Sequence, residues 1–446
     1  MTIAEAAPRN HLLRILGVAF SIAITLGTII GSGILRSPSV VAASVGSTAI
    51  ILALWAAGAI RSALGANVLT ELGTALPQDG GPYVFTHRAL GDVPGLIVGW
   101  SSWGSTIAGV AAASVSFASF LALVVPALAT HQAGVAVALQ ILLYGTNIAG
   151  LREGRAVQET TSFAKAALLL AFAVAAAFVV PAQTAGDAAA SVTTAWTWFG
   201  LIGAFQLITG AYAGWDAPIF FAEENEVPAD SIPRGVFIGL GVTAFLYLAI
   251  NAALLHALGP HDVAKSALPF MVVLNRAAGP VASLLFAGGA MITVISCANA
   301  NIMIAPRIIF ALARDRLLPH HLADVNRGGS PQWAFLMSAV VSLALAATGQ
   351  FRLVFGLIGT LNALSGLMVG ISYFVLRARE PDLARPWRAI GYPLLPAAAV
   401  LLDAAFLVLF NLADWRGFAA AAALSALCIP FAWLAHRARA GQAGGR

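Results

Sequence analysis

Charge is what this chain has least of. Only 10% of its 446 residues are Asp, Glu, Lys or Arg, and just two are lysines, Lys165 and Lys265. Soluble domains run near a quarter charged, so a water-soluble globule is excluded. Disorder is excluded as well, because it needs low hydrophobicity and here 59% of the residues are hydrophobic. Cysteine is scarce. Cys297 and Cys428 both fall inside apolar runs, which leaves neither a disulfide framework nor a metal cluster to build from them. No Gly-Lys pair occurs, which removes a Walker-type phosphate loop and with it an ATP-driven pump. His-Glu-x-x-His is also missing, against a zinc protease.

What is present is apolar sequence in long runs. About 20 apolar residues suffice to cross the hydrocarbon core as a helix. Twelve such spans are predicted, at about 14–36, 47–74, 94–127, 132–151, 155–181, 198–222, 232–258, 278–312, 331–349, 351–377, 391–411 and 417–436. They define one all-α integral membrane domain over 1–446. The residues ahead of the first span show no small-residue cleavage site, so that span reads as retained. Residues 441–446 read as a frayed tail.

The net charge of +5 raises nucleic acid as a partner, but the basic residues form no patch. With the N-terminus in the cytoplasm, seventeen of the 24 basic residues fall inside and five outside, leaving Arg61 and Lys165 within spans. The positive-inside rule therefore predicts cytoplasmic N- and C-termini. It accounts for the basic balance without nucleic acid, and the lipid bilayer becomes the expected partner.

Two spans are interrupted. The first contains Gly27-Thr28-Ile29-Ile30-Gly31-Ser32-Gly33-Ile34, and glycine weakens a helix by about 1 kcal/mol relative to alanine. Unwinding there aims the amides and positive dipole end of the following half-helix at an anion such as a carboxylate. The freed carbonyls of Thr28 to Ile30 suit an ammonium. The alternative is that these glycines only let helices pack closely. Span six repeats the feature in Gly210-Ala211-Tyr212-Ala213-Gly214-Trp215-Asp216-Ala217-Pro218, and matching interruptions in two halves point to an inverted-repeat transporter with a central site. The repeats then cover about 14–181 and 198–377, with two C-terminal helices at about 391–436. A zwitterion fits such a site, because helix ends serve both of its charges.

These residues resemble the amino acid/polyamine/organocation superfamily, specifically bacterial relatives of the L-type and cationic amino acid transporters. The glycine block of span one is joined by Glu71-Leu72-Gly73, Gly80-Gly81-Pro82-Tyr83, Ala211 to Asp216, Glu223-Glu224, Ile232-Pro233-Arg234 and Asn299. Arg307, Ala313-Arg314-Asp315-Arg316-Leu317-Leu318-Pro319, Arg385-Pro386-Trp387 and Gly391-Tyr392-Pro393 complete the match, which covers nearly the whole chain. The resemblance implies the leucine-transporter fold, five plus five inverted helices followed by two more, with helices one and six discontinuous. The substrate carboxylate would rest on amides around Gly31, Ser32 and Gly33, and the amino group on carbonyls near Ile29, Gly210, Ala211 and Ala213. Candidate substrate residues are thus Thr28, Ile29, Ile30, Gly31, Ser32, Gly33 and Ile34 with Gly210, Ala211, Tyr212, Ala213 and Trp215. L-type relatives carry a bulky aromatic where this chain has Gly210, so a roomier pocket is expected unless Phe205, Tyr212 or Trp215 takes over the gate.

Lys165 lies about ten residues into span five, roughly 15 Å deep at 1.5 Å per residue. An ionisable residue at that depth is a functional candidate by default. In similar transporters such a lysine takes the place of a sodium ion, which implies Gly27 or Thr28 and Ser296 or Cys297 as neighbours. Both proton coupling and a fixed cation tying helices together stay open. Arg61 is expected to pair with Asp403 or Asp216, or else with a substrate carboxylate. Asp216, Glu71 and Arg307 are candidate gating residues, Glu71 and Arg307 near the cytoplasmic mouth as a candidate gating ion pair, with capping or packing the alternative for Asp216. His320-His321 reads as solvated loop.

The expected function is secondary active transport of an amino acid across the inner membrane, proton-coupled or exchanging, with no cofactor, metal or catalytic group. A polyamine or organic-cation permease would need acids in the pocket, where only Asp216 is near. An intramembrane enzyme lacks a convergent catalytic set. A channel lacks a repeated filter or rings of charge.

Overall fold

In a computed structural model, the described residues are 14–149, 151–179, 197–266, 268–326, 330–349, 351–413, 415–426, 428 and 430. The expected tail at 441–446 and the end of the twelfth span lie outside them.

All of the named elements are helical. In chain order they are α1 (Val18–Ile29), α2 (Ser32–Val45), α3 (Thr48–Ala75), α4 (Pro82–Leu90), α5 (Asp92–Val124), α6 (Gln132–Ala149) and α7 (Leu151–Ala177). After residues 180–196 come α8 (Trp198–Ala211), α9 (Pro228–Lys265), α10 (Pro269–Arg314), α11 (Gln332–Ala347), α12 (Phe351–Arg379), α13 (Leu394–Ala413) and α14 (Trp415–Ala426). Among the described residues nine helical stretches are long and apolar enough to cross a membrane, counting Val18–Val45 as one, while Trp198–Ala211 and Gln332–Ala347 are apolar but shorter. The bend at Gly259 (φ 74°) before Pro260 and that at Gly279 (φ 78°) before Pro280 fall beside the expected limits of spans seven and eight.

The packing suits lipid rather than water. Large apolar side chains such as Phe178, Phe245, Leu285 and Leu401 face outward, while Thr25, Ser114, Thr243 and Thr293 are buried. Those hydroxyls are satisfied within their own helices. Ser114 Oγ donates to the Val110 carbonyl and Thr243 Oγ1 to the Gly239 carbonyl, both at 2.8 Å. Close crossings use small residues. A Cβ on Gly235 would lie 2.5 Å from Ser21 Cβ and one on Gly239 2.5 Å from Thr25 Cγ2, so this pair seats α9 against α1.

Two interruptions meet in the interior. α1 stops at Ile29 and α2 starts at Ser32; α8 ends at Ala211 and leads through Tyr212 to Asp216 into a 3-10 turn, Ala217–Phe221. Gly31 at the first break is extended (φ −137°, ψ −151°), a conformation open to any residue. Glycine is required there by close approach instead: an added Cβ would lie 2.7 Å from Cys297 Sγ, and one on Gly33 2.9 Å from Ala211 Cα. Gly214 in the second break does need its conformational freedom, with φ +104° and Thr28 Cβ 2.6 Å from where its own Cβ would be.

Candidate functional site

The last four carbonyls of an α-helix have no partner inside it, so the end of α1 must find partners elsewhere. Here the bonds come from three other helices. Lys165 Nζ on α7 donates to the Gly27 carbonyl at 2.8 Å and to the Ile30 carbonyl at 2.6 Å. Cys297 Sγ on α10 donates to the Thr28 carbonyl at 3.6 Å, and Tyr247 Oη on α9 lies 2.9 Å from the Ile29 carbonyl. The Lys165 charge also sits at the negative end of the α1 dipole. The amides at the start of α2 are arranged differently. No side chain caps that terminus, and the Gly31, Ser32 and Gly33 amides have no hydrogen-bond partner among the described residues. The break therefore presents satisfied acceptors on one side and open donors on the other.

The second break supplies the complement. Thr28 Oγ1 lies 2.7 Å from the Gly214 carbonyl and ties the two breaks together. Tyr247 Oη is also 3.1 Å from the Ala211 carbonyl, so its single proton serves Ile29 or Ala211 at any moment. The Gly210 carbonyl accepts from the Ala213 amide at 3.2 Å, whereas the Ala213 carbonyl has no hydrogen-bond partner among the described residues.

Between the breaks lies a cavity of roughly 190 Å³. Of the residues expected from sequence, it is lined by Thr28, Ile29, Gly31, Ser32, Gly33, Gly210, Ala211, Ala213 and Trp215, together with Gly214, Asp216 and Cys297. Ile30, Ile34 and Tyr212 are buried but outside this lining. Tyr212 instead packs with Trp55 (5.9 Å between ring centroids) and Tyr247 (5.0 Å), behind the break. Phe205 packs on Phe406 at 5.1 Å, leaving Trp215 as the aromatic of the three that reaches the cavity.

The candidate coupling residues converge. Lys165 is buried, and a Cβ on Gly27 would lie 1.8 Å from Gln158 Nε2. Ser296 Oγ sits 3.3 Å from Ser162 Oγ and accepts from Gln158 Nε2 at 3.5 Å. Asp216 begins the 3-10 turn through its backbone, with no side-chain capping bond, and is one of the residues that line the cavity. His320 and His321 open a short 3-10 turn, His320–Ala323, and are exposed.

Glu71 and Arg307 do not pair with each other. Arg377 donates to Glu71 at 2.5 and 2.9 Å, Arg385 Nε lies 3.1 Å away, and the Ala389 amide donates at 2.7 Å. Arg307 binds Glu224 in a two-bond fork of 2.6 and 2.9 Å, with both side chains at most 2% exposed, and its guanidinium lies 4.3 Å from the centre of the Phe221 ring. Glu224 also accepts the Leu16 amide on its backbone carbonyl at 3.0 Å, joining the start of α1 to this cluster. Beside it, Asp79 Oδ1 accepts the Glu223 amide at 2.8 Å, while Asp79 Oδ2 is buried without a partner among the described residues. Burial, with Glu224 and Glu223 nearby, holds the Asp79 carboxyl well above its usual range even with Arg307 close.

Residues 16–428 match the family model described as amino acid permease. The chain belongs to this family, within the amino acid/polyamine/organocation superfamily. Its similar proteins include the serine/threonine exchanger SteT of Bacillus subtilis, 26% identical over 413 residues (88% of this chain, 90% of that protein). The branched-chain amino acid permease BcaP of the same organism is 28% identical over 435 residues (90% and 88%). Large neutral amino acids transporter small subunit 2 of Mus musculus is 27% identical over 413 residues (89% and 76%). This permease is thus a multi-pass membrane protein of a transporter family.

Tyr247 and Asp79 escape the sequence reading. Tyr247 is one aromatic in an apolar span, and nothing in its neighbours along the chain signals that its hydroxyl bridges two breaks. Asp79 carries a weak signal, an acid between a span and a glycine pair, but its partners lie 144 positions away.

Proposed function

We propose that this permease is a secondary active carrier that moves a zwitterionic L-amino acid across the inner membrane by alternating access. The observation that supports it most is the asymmetry of the first break, where the carbonyls are bonded to protein and the α2 amides are open. A carboxylate on those amides gains donors at a positive dipole end without a charged side chain. The Ala213 carbonyl, with the remaining lone pairs of Ile29 and Ala211, accepts from the ammonium.

In this reading twelve spans form the leucine-transporter fold, with the α1–α2 pair and α8 with its 3-10 turn as discontinuous helices one and six. Both termini are cytoplasmic, which places the Glu71 and Arg307 clusters at the cytoplasmic end. Lys165 acts as a fixed cation that caps α1, and transport proceeds as exchange of one amino acid for another. No reaction chemistry is assigned to the site, which works as a carrier and not as an enzyme.

The test is counterflow into proteoliposomes with each of the twenty amino acids, at two pH values. Accumulation of an amino acid only when an exchangeable one is preloaded supports the reading. If none is moved and none competes, the reading fails.

A further inference from the structure

The cavity does not end at the helix breaks. It continues to a charged pair, Arg61 on α3 and Asp403 on α13, which line it together with the backbone of both breaks. Gly58, Arg61 and Gly65 are three and four residues apart and share one face of α3. A Cβ on Gly58 would lie 2.6 Å from Ile208 Cγ2 and one on Gly65 2.9 Å from Trp215 Cζ2, so this face lies against α8 and the second break. Arg61 projects from it and pairs with the Asp403 carboxylate. Gly366 on α12 leaves room for that carboxylate, since a Cβ there would lie 2.7 Å from Asp403 Oδ2.

We infer that the Arg61–Asp403 pair is the side-chain subsite of this carrier, and that it selects amino acids whose side chain ends in a carboxamide. The inference rests on the amino acid reading above. A guanidinium has five N–H donors, and Arg61 gives one of them to Asp403 among the described side chains. The pair is neutral as a whole, partly open (19% and 11% side-chain exposure), and offers both N–H donors and a carboxylate acceptor. A carboxamide matches this set: its oxygen accepts from Arg61 and its NH₂ donates to Asp403, with no added charge. A carboxylate or ammonium side chain would instead bring a third full charge into a site within the membrane, where the cost is high. An aliphatic side chain would cover the pair and leave its donors unsatisfied. The hydroxyls of Ser102, Ser105 and Ser365 along the wall continue the polar character.

The experiment uses the purified full chain in proteoliposomes, with glutamine, leucine, glutamate and lysine as competing substrates. Wild type is expected to prefer glutamine over the other three. Arg61→Met combined with Asp403→Leu, which removes both charges, is expected to reduce the glutamine-over-leucine preference about tenfold or more. Leucine, glutamate or lysine preferred by wild type overturns the subsite, as does a double variant with the wild-type preference. If the double variant does not fold, the wild-type competition decides alone. Leucine counterflow without a glutamine preference removes the subsite and leaves the carrier reading intact; no counterflow with any amino acid removes both.

Discussion

The ammonium of Lys165 lies 2.8 Å from the carbonyl oxygen of Gly27, in the last turn of α1. With its second bond to Ile30 it satisfies two of the four carbonyls that the helix leaves orphaned. Replacing Lys165 by Ala removes both partners at once, and a buried unsatisfied acceptor costs about 1–3 kcal/mol. Lys165→Ala is expected to lower the melting temperature in detergent and to abolish exchange, with or without a proton gradient. Gradient-driven uptake equal to wild type in the variant would remove Lys165 from the mechanism.

The two breaks touch through backbone as well as side chains. Because Ala211 Cα would lie 2.9 Å from a Cβ on Gly33, and Ala211 Cβ 3.0 Å from it, Gly33→Ala must push the breaks apart. The expected result is a loss of exchange rate of about tenfold or more, since small displacements at a positioned site cost that much. Adding Ala211→Gly relieves the Cβ contact but not the Cα one, so recovery should be partial. A wild-type rate in Gly33→Ala would show that the breaks need not stay this close.

How much of this was visible beforehand differs between the parts. The breaks were legible because glycines cluster in otherwise apolar runs, and Gly214 bears out the conformational reason. Gly31 and Gly33 also serve the alternative of close packing, since they make room for Cys297 and Ala211, and which partners they meet is not revealed by spacing along the chain. Arg61 was conspicuous as a charge inside a span, and Asp403 was one of two acids offered as its partner. The partners of Glu71 and Arg307 were hidden, because Arg377 and Arg385 come 306 and 314 positions after Glu71, and Glu224 looks like any loop acid. Side-chain pairing between distant elements needs the fold, whereas helix ends and burial follow from local composition.

Arg307 and Glu224 form a buried pair, for which removing one partner is far worse than removing both. A lone buried charge costs about 3–5 kcal/mol, while an apolar replacement of the whole pair is often neutral or stabilising. Arg307→Met should therefore destabilise strongly, and Arg307→Met with Glu224→Leu should recover most of the loss in thermal unfolding. Equal damage in the single and double variants would mean that the bond to the Met303 carbonyl and the contact with Phe221 matter more than the charge.

Asp79 gives the permease a pH dependence of predictable sign. Its carboxyl is raised in the folded protein, because burial and the nearby Glu224 and Glu223 disfavour the charged form. The stability this brings is fully present below the usual carboxylate range and is lost as pH rises through the raised value. Facing it are Glu223, Glu224, Arg307 and, further off, Arg314, so ionised Asp79 adds a negative charge beside two others. The melting temperature of wild type should fall with rising pH more steeply than that of Asp79→Asn, whose side-chain oxygen can still accept the Glu223 amide. Parallel curves for the two proteins would refute the assignment.

Gly210 lies in the cavity wall at the end of α8, a wall it shares with Ala211, Ala213 and Trp215. An aromatic ring at this position would compete with a bulky substrate side chain for the part of the cavity next to the second break. Gly210→Phe should raise the KM of large amino acids by about tenfold, the loss expected when a positioned group is displaced, and affect alanine or serine much less. The size dependence is the informative part: a uniform loss across substrates would point to damage to the helix break itself, because Gly210 also supplies the carbonyl that receives the Ala213 amide. Unchanged uptake of large substrates would place their side chains elsewhere in the cavity, away from the end of α8.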